Sequence, residues 1–117
     1  MTEEERSKII SQIGETLPIP EEIREDFGGF IADTVLGGVW SRPGLSPRER
    51  SLITIAALTA LDRPNELRIH LGRGLDNGLD RNEVCELIMH MAIYGGFPVA
   101  VEGMRIAKEV FETRENA

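Results

Sequence analysis

The stretch "NELRIHLGRG", Asn65 to Gly74, sets Glu66, His70 and Arg73 at i, i+4 and i+7. If this segment is helical, the three fall along one face, with a carboxylate one turn before an imidazole and a guanidinium one turn after it. A glutamate at that spacing can hydrogen bond to the histidine, fix its tautomer and favour the protonated ring. Such a pair suits proton transfer to or from a bound acid. The same spacing fits a second reading, a boundary histidine beside Leu67 and Leu71 whose charged neighbours are ordinary surface residues. Spacing leaves both open.

His90 and Tyr94 form a second polar pair at i, i+4, near a helix end marked by Gly95-Gly96-Phe97-Pro98. They read either as donors into a cleft or as a core pair bonded to backbone. Three arginines, Arg42, Arg48 and Arg50, cluster with Trp40 in and after "VWSRPGLSPRER", close to a helix N-terminus whose free amides also favour anions. A solvated cap is the alternative there. Glu66, His70 and His90 could supply one oxygen and two nitrogens to a metal, but they lack the HExxH arrangement and an evident outer carboxylate, so no metal is expected. Cys85 is the one cysteine. It allows no intrachain disulfide, CxxC pair or thiolate zinc site, and it reads as a core residue. No phosphate loop, GxSxG elbow, dinucleotide fingerprint or DNA-reading motif is present.

The elements that carry these residues follow from punctuation. "TEEERSKIISQIGETL" has Ile9, Ile10, Ile13 and Leu17 at helical spacing and stops at Pro18. "PEEIREDFGGFIADTVLGG" offers Ile23, Phe27, Phe30, Ile31 and Val35, and Gly28-Gly29 within it suggests close packing or a bend. "SPRERSLITIAALTAL" begins with Ser46, Pro47 and Glu49 as cap, first-turn proline and capping-box partner. It is apolar almost all round, as a central buried helix would be. The segment holding His70 carries Leu67, Leu71 and Leu75 and ends at Asn77-Gly78. "DRNEVCELIMHMAIYGG" opens on the capping-box pair Asp80 and Glu83, and "FPVAVEGMRIAKEVFETRE" closes the chain. No segment alternates with period two, which predicts an all-α fold of about six helices. Gly72, Gly74 and Gly103 lower helix propensity and point to tight helix contacts, within or between subunits.

At 117 residues the chain reads as a single domain, 1–117. Its 41% hydrophobic and 28% charged residues are those of a globular protein, and no apolar run is long enough to span a bilayer. The expectation is a soluble, cytoplasmic protein. Thirteen Lys and Arg against twenty Asp and Glu give a net charge of −7, which repels phosphate backbones and anionic membranes, so neither nucleic acid nor membrane is expected as a partner. Eleven of the thirteen cations are arginine. That preference suits bidentate binding of carboxylates.

Residues 46 to 111 resemble the carboxymuconolactone decarboxylase family. The resemblance is carried by "RSLITIAALTAL", "ELRIHL", "NGLDRNEVCELI" and "AIYGGFPVAVEGM", with "GGVWSRPGLS" as the usual entry to this region and a core of about 27–112. A redox branch of the same superfamily carries CxxCxxxH on a helix. With His70 matched to that histidine, the two cysteine positions fall on Arg63 and Glu66, so the thiol chemistry is missing and the histidine is kept. This departure favours the decarboxylase branch. Position 51 is serine where several members carry glutamate, and His90 stands where decarboxylases often have glutamine.

The resemblance implies an all-α subunit assembling into trimers or hexamers, active sites at or near subunit contacts, and a carboxylated lactone decarboxylated without a cofactor. In that reading Arg42, Arg48 or Arg50 anchors the substrate and His70 delivers the proton. Glu66 orients and charges His70, His90 and Tyr94 are secondary donors, and Trp40 is an apolar wall. A family paralogue acting on another lactone or acid, and a noncatalytic ligand-binding oligomer, are the alternatives.

Overall fold

Three of the helices begin at reciprocal capping boxes, in which a short side chain accepts from the backbone three residues on and a glutamate returns the bond. Thr2 pairs with Glu5, Ser46 with Glu49 and Asp80 with Glu83. Each satisfies two amides that a helix start leaves open. The computed structural model describes residues 1–116. Among the described residues there are six α-helices and no strand. No helix among them is long and apolar enough to cross a membrane. The helices divide between two compact units, residues 1–44 and 45–117.

The first unit holds α1 (Glu3–Thr16) and α2 (Arg24–Ile31), joined through a single 3-10 turn at Glu21–Ile23. Apart from Ile13, its buried residues are small: Gly14, Gly28, Gly29 and Ala32. A Cβ on Gly28 would come within 3.0 Å of Ile10, and one on Gly29 within 2.8 Å of the Arg6 guanidinium. Gly28-Gly29 thus serves close packing on α1, as the sequence suggested. The buried face of α2 and its continuation is Gly28, Gly29 and Ala32, while Phe27 and Phe30 lie exposed. The expected phenylalanine stripe is displaced because only small residues permit this approach. Arg6 holds Asp33 through two bonds of 2.8 and 3.1 Å.

At Gly37-Gly38 the helix widens. Ala32–Val39 takes π-helical winding, and Trp40 N–H donates to the Val35 carbonyl five residues back at 2.8 Å. A Cβ on Gly38 would lie 2.9 Å from the Asp33 carbonyl oxygen, so the wide turn uses the missing side chain.

The second unit contains α3 (Pro47–Ala60), α4 (Pro64–Asp76), α5 (Arg81–Tyr94) and α6 (Phe97–Glu115). α6 packs on α3, α4 and α5, and α3 packs on α4 and α5. Their shared core includes Ile55, Leu67, Leu71, Val84, Ile88 and Ile106. The glycines expected at tight contacts act inside the chain. A Cβ on Gly74 would sit 2.8 Å from Ile55 Cδ1, and one on Gly103 3.1 Å from Ile88 Cγ2. Gly72 has no such neighbour.

Two expectations are corrected in this unit. α3 is not buried all round; its buried residues are Ser51, Ile55 and Thr59, and Ile53 is exposed. Ile53 and Ala57 therefore face outward within one chain. Cys85 is exposed rather than in the core. The buried line of α5 runs through Val84, Ile88 and Ala92, and Cys85 lies about a quarter-turn off it.

Candidate active site

α4 has two unlike flanks. Toward α6, its charges are used in ion pairs: Arg68 with Glu109 at 2.8 Å and Asp76 with Arg114 at 2.7 Å. Toward α3, Gly74 nests on Ile55, and the Asn77 side-chain amide donates to Ser51 Oγ at 3.0 Å. By the helical period, Arg63, Glu66, His70, Arg73 and Asn77 share this second flank. The sequence pattern of the opening motif is thereby placed on one strip.

His70 sits at the edge of the core, half-buried between Leu67 and Leu71 in sequence, and its Nδ1 is buried without a hydrogen bond in the chain. Burial first, then the positive charge of Arg73, pushes its pKa below the ordinary histidine value. The free protein thus favours the neutral ring near pH 7. This reverses the charge state expected from the Glu66 spacing. Glu66 is exposed and forms no bond to Nδ1, because the imidazole leans toward the core while the carboxylate stays hydrated. Spacing put the two on one face, but no hydrogen bond joins them at Nδ1.

His90 and Tyr94 do come together, with ring centroids 5.0 Å apart and planes inclined by 35°. Both are exposed, so neither belongs to a core pair. His90 lines an open groove of about 940 Å³ with Leu52, Leu87, Met89, Ile93 and Phe97, edged by Asp80, Glu83 and Glu86. Neither His70, Glu66 nor Tyr94 lines it. Arg48 is bound to Glu83, tying the first turn of α3 to that of α5. Arg50 is half-buried, and its carbonyl accepts from Thr54 Oγ1 at 2.8 Å. Trp40, half-buried, and Arg42, exposed, belong to the first unit. Among the described residues, no three His, Cys, Asp or Glu side chains are grouped as metal ligands.

Sequence reasoning marked Ser51 only as a departure from the family and Asn77 only as a helix end, and missed that the two fasten the α4 flank to α3. A signal was present: Ser51, Ile55 and Thr59 recur at i, i+4 and i+8, marking position 51 as buried.

The family model described as "Carboxymuconolactone decarboxylase family" matches residues 25–109. The chain belongs to the carboxymuconolactone decarboxylase family. Within this family it is similar to 4-carboxymuconolactone decarboxylase of Acinetobacter baylyi, 40% identical over 111 residues, covering 93% of this chain and 83% of that one. It is also similar to nitrosuccinic acid decarboxylase of Metarhizium robertsii, 33% identical over 80 residues, or 68% of this chain and 56% of the fungal protein. An uncharacterized 15.0 kDa protein of Paracoccus denitrificans is 35% identical over 78 residues, covering 64% of this chain and 58% of that protein. The family match takes in His70, its strip of charges and the His90–Tyr94 pair alike.

Proposed function

We propose that this protein is a cofactor-independent carboxy-lyase that converts 4-carboxymuconolactone, or a closely related carboxylated lactone, to 3-oxoadipate enol-lactone and CO2 in aromatic-acid breakdown. The observation that carries this reading is the 40% identity to the Acinetobacter enzyme across 93% of the chain. The departing carboxylate of that lactone is attached to the γ-carbon of an unsaturated lactone. When the carbon–carbon bond breaks, its electron pair delocalises into the lactone carbonyl as a furanolate-like dienolate. One proton then forms a new bond to ring carbon. The substrate supplies its own electron sink, and the protein supplies anchoring, oxyanion stabilisation and the proton.

His70 is our proton donor. Its half-buried place and its displaced basicity suit a group that exchanges a proton in a partly dry site. Glu66 stays in the reading as a charge on the same strip, no longer as the group orienting His70. Of the three arginines offered as anchors Arg48 is the weakest, since Glu83 already holds it. Assembly of several copies, trimers or hexamers, belongs to the same reading. It is supported by apolar side chains facing outward at the α5–α6 corner, where Ile93 is 72%, Tyr94 75% and Phe97 69% exposed.

The fungal relative supports a second reading, action on another acid of the same chemical class. Nitrosuccinic acid also has a carboxylate beside a built-in electron sink, the nitro group, and keeps a second carboxylate after losing the first. Release of CO2 from 4-carboxymuconolactone and from nitrosuccinate, measured side by side, separates the two readings. Turnover of the lactone above the buffer rate upholds the first; turnover of nitrosuccinate alone selects the second; no CO2 from either overturns both.

A further inference from the structure

Most arginines of this acidic chain are already held by acids. Arg6, Arg24, Arg48, Arg68, Arg81, Arg105 and Arg114 each have a carboxylate partner, and Arg42 and Arg50 are engaged in interactions of their own. Arg63 and Arg73 make none of the ion pairs found among the described residues, and both lie on the His70 flank of α4. Glu66, the acid between them, pairs with neither.

We propose that Arg73 binds the carboxylate that the substrate keeps, and so holds the reacting ring beside His70. The inference rests on the reading above, that the substrate is a dicarboxylate losing one of its two carboxylates. Residues three apart on a helix have Cβ atoms about 5–6 Å apart. A guanidinium-to-carboxylate hydrogen bond of about 2.8 Å to the two-carbon acid arm leaves the lactone ring, with the α-carbon that takes the proton, on the His70 side of the arm. Arg63 lies seven residues before His70, about 10 Å along the axis, and is too distant to share such a short ligand with it. Arg73 is exposed, so a fork of donors is open to a planar carboxylate.

Docking would also change His70. A carboxylate on Arg73 cancels the nearest positive charge, and the second carboxylate brings a negative one toward the ring. The imidazole then takes up a proton as the substrate settles. Loss of CO2 moves the bond electrons into the sink, the His70 proton forms the new C–H bond, and the neutral ring regains a proton from solvent. Arg73 acts as a binding and positioning residue, with His70 as the catalytic one.

The test combines turnover with a probe that does not react. Arg73→Gln should raise KM for 4-carboxymuconolactone about tenfold to a hundredfold, the cost of a lost charge-assisted bond, with a smaller change in kcat. Arg73→Lys should restore part of it. Arg63→Gln, which removes an equal charge on the same flank, should change KM by about twofold or less, as expected of a screened surface charge. Succinate, followed through the His70 ring resonances by NMR, should raise the His70 pKa in the unmodified protein and leave it unmoved in Arg73→Gln. A KM in Arg73→Gln within about twofold of the unmodified protein, or equal losses in both arginine variants, overturns the inference. The succinate measurement judges Arg73 even if the lactone is not turned over, so failure of the functional reading and failure of this inference remain distinguishable.

Discussion

His70 and Arg73 stand three residues apart on the flank of α4 that makes no ion pair to α6, and the guanidinium adds to burial in holding the imidazole neutral. A histidine whose folded pKa lies below its unfolded value of 6.5 binds fewer protons when folded. Its contribution to stability is therefore complete above pH 6.5 and is lost as pH falls through the folded value. Urea midpoints measured from pH 7.5 down to 5 should fall more steeply for the unmodified protein than for His70→Gln. The lowered carboxylates Asp33, Glu49, Glu102 and Glu109 act in the same direction, but over a more acidic window. Equal slopes for the two proteins between pH 7.5 and 5 would count against a neutral, half-buried His70.

The bond between Asn77 and Ser51 is asymmetric in burial. Ser51 is 1% exposed, whereas Asn77 is only half-buried. Asn77→Ala leaves a buried hydroxyl without its partner and should cost about 1–3 kcal/mol. Ser51→Ala leaves an amide that can turn to water, and should cost about 1 kcal/mol or less. A double-mutant cycle in chemical denaturation measures both. The larger loss in Ser51→Ala would show that the hydroxyl, not the amide, has the easier route to water.

The helices were legible in the sequence because their starts are local chemistry: Ser46 with Glu49 and Asp80 with Glu83 need no tertiary contact to be recognised. Burial was less legible. "LITIAAL" reads as central because hydrophobicity cannot distinguish a face covered by the same chain from one left outward, and Ile53 is outward. Cys85 was misread for a related reason, since composition favours burial while the line Val84–Ile88–Ala92 decides it. At the candidate site, spacing correctly placed Glu66, His70 and Arg73 on one face. It could not say which neighbour the imidazole would feel, because that depends on how far the ring leans inward. The free state of Arg73 was invisible for another reason: it follows from which acids on other helices are already taken.

Gly72 and Gly74 differ in what a methyl group would meet. At Gly74 it would press on Ile55 and Leu79 at 2.8 and 3.0 Å, at the contact that seats α4 on α3. Gly74→Ala should destabilise by about 1–3 kcal/mol through overpacking, offset in part by the better helix propensity of alanine. At Gly72 the nearest atom outside the helix is an Arg114 nitrogen at 3.8 Å, an ordinary contact. Gly72→Ala should therefore gain up to about 1 kcal/mol. Thermal unfolding of the two single variants checks the opposite signs, and a loss in both would mean that Gly72 is also closely covered.

The α5–α6 corner carries the last consequence. Ile93, Tyr94 and Phe97 are each more than two-thirds exposed and follow one another across the Gly95-Gly96 turn, with Met89 and Val101 exposed one turn away on either side. Outward apolar side chains of this size are costly to hydrate, and burying each would contribute roughly 1.5–3 kcal/mol. If copies of the chain associate there, a charge placed in the middle of the patch must be desolvated in the assembly and not in the free chain. Ile93→Asp should therefore lower the mass measured by light scattering to that of a smaller species, while far-ultraviolet circular dichroism stays that of a folded helical protein. Ile53→Asp, exposed on α3 outside this corner, serves as the comparison. An unchanged mass for Ile93→Asp, or a single-chain mass for the unmodified protein at micromolar concentration, would remove this surface as the contact between copies.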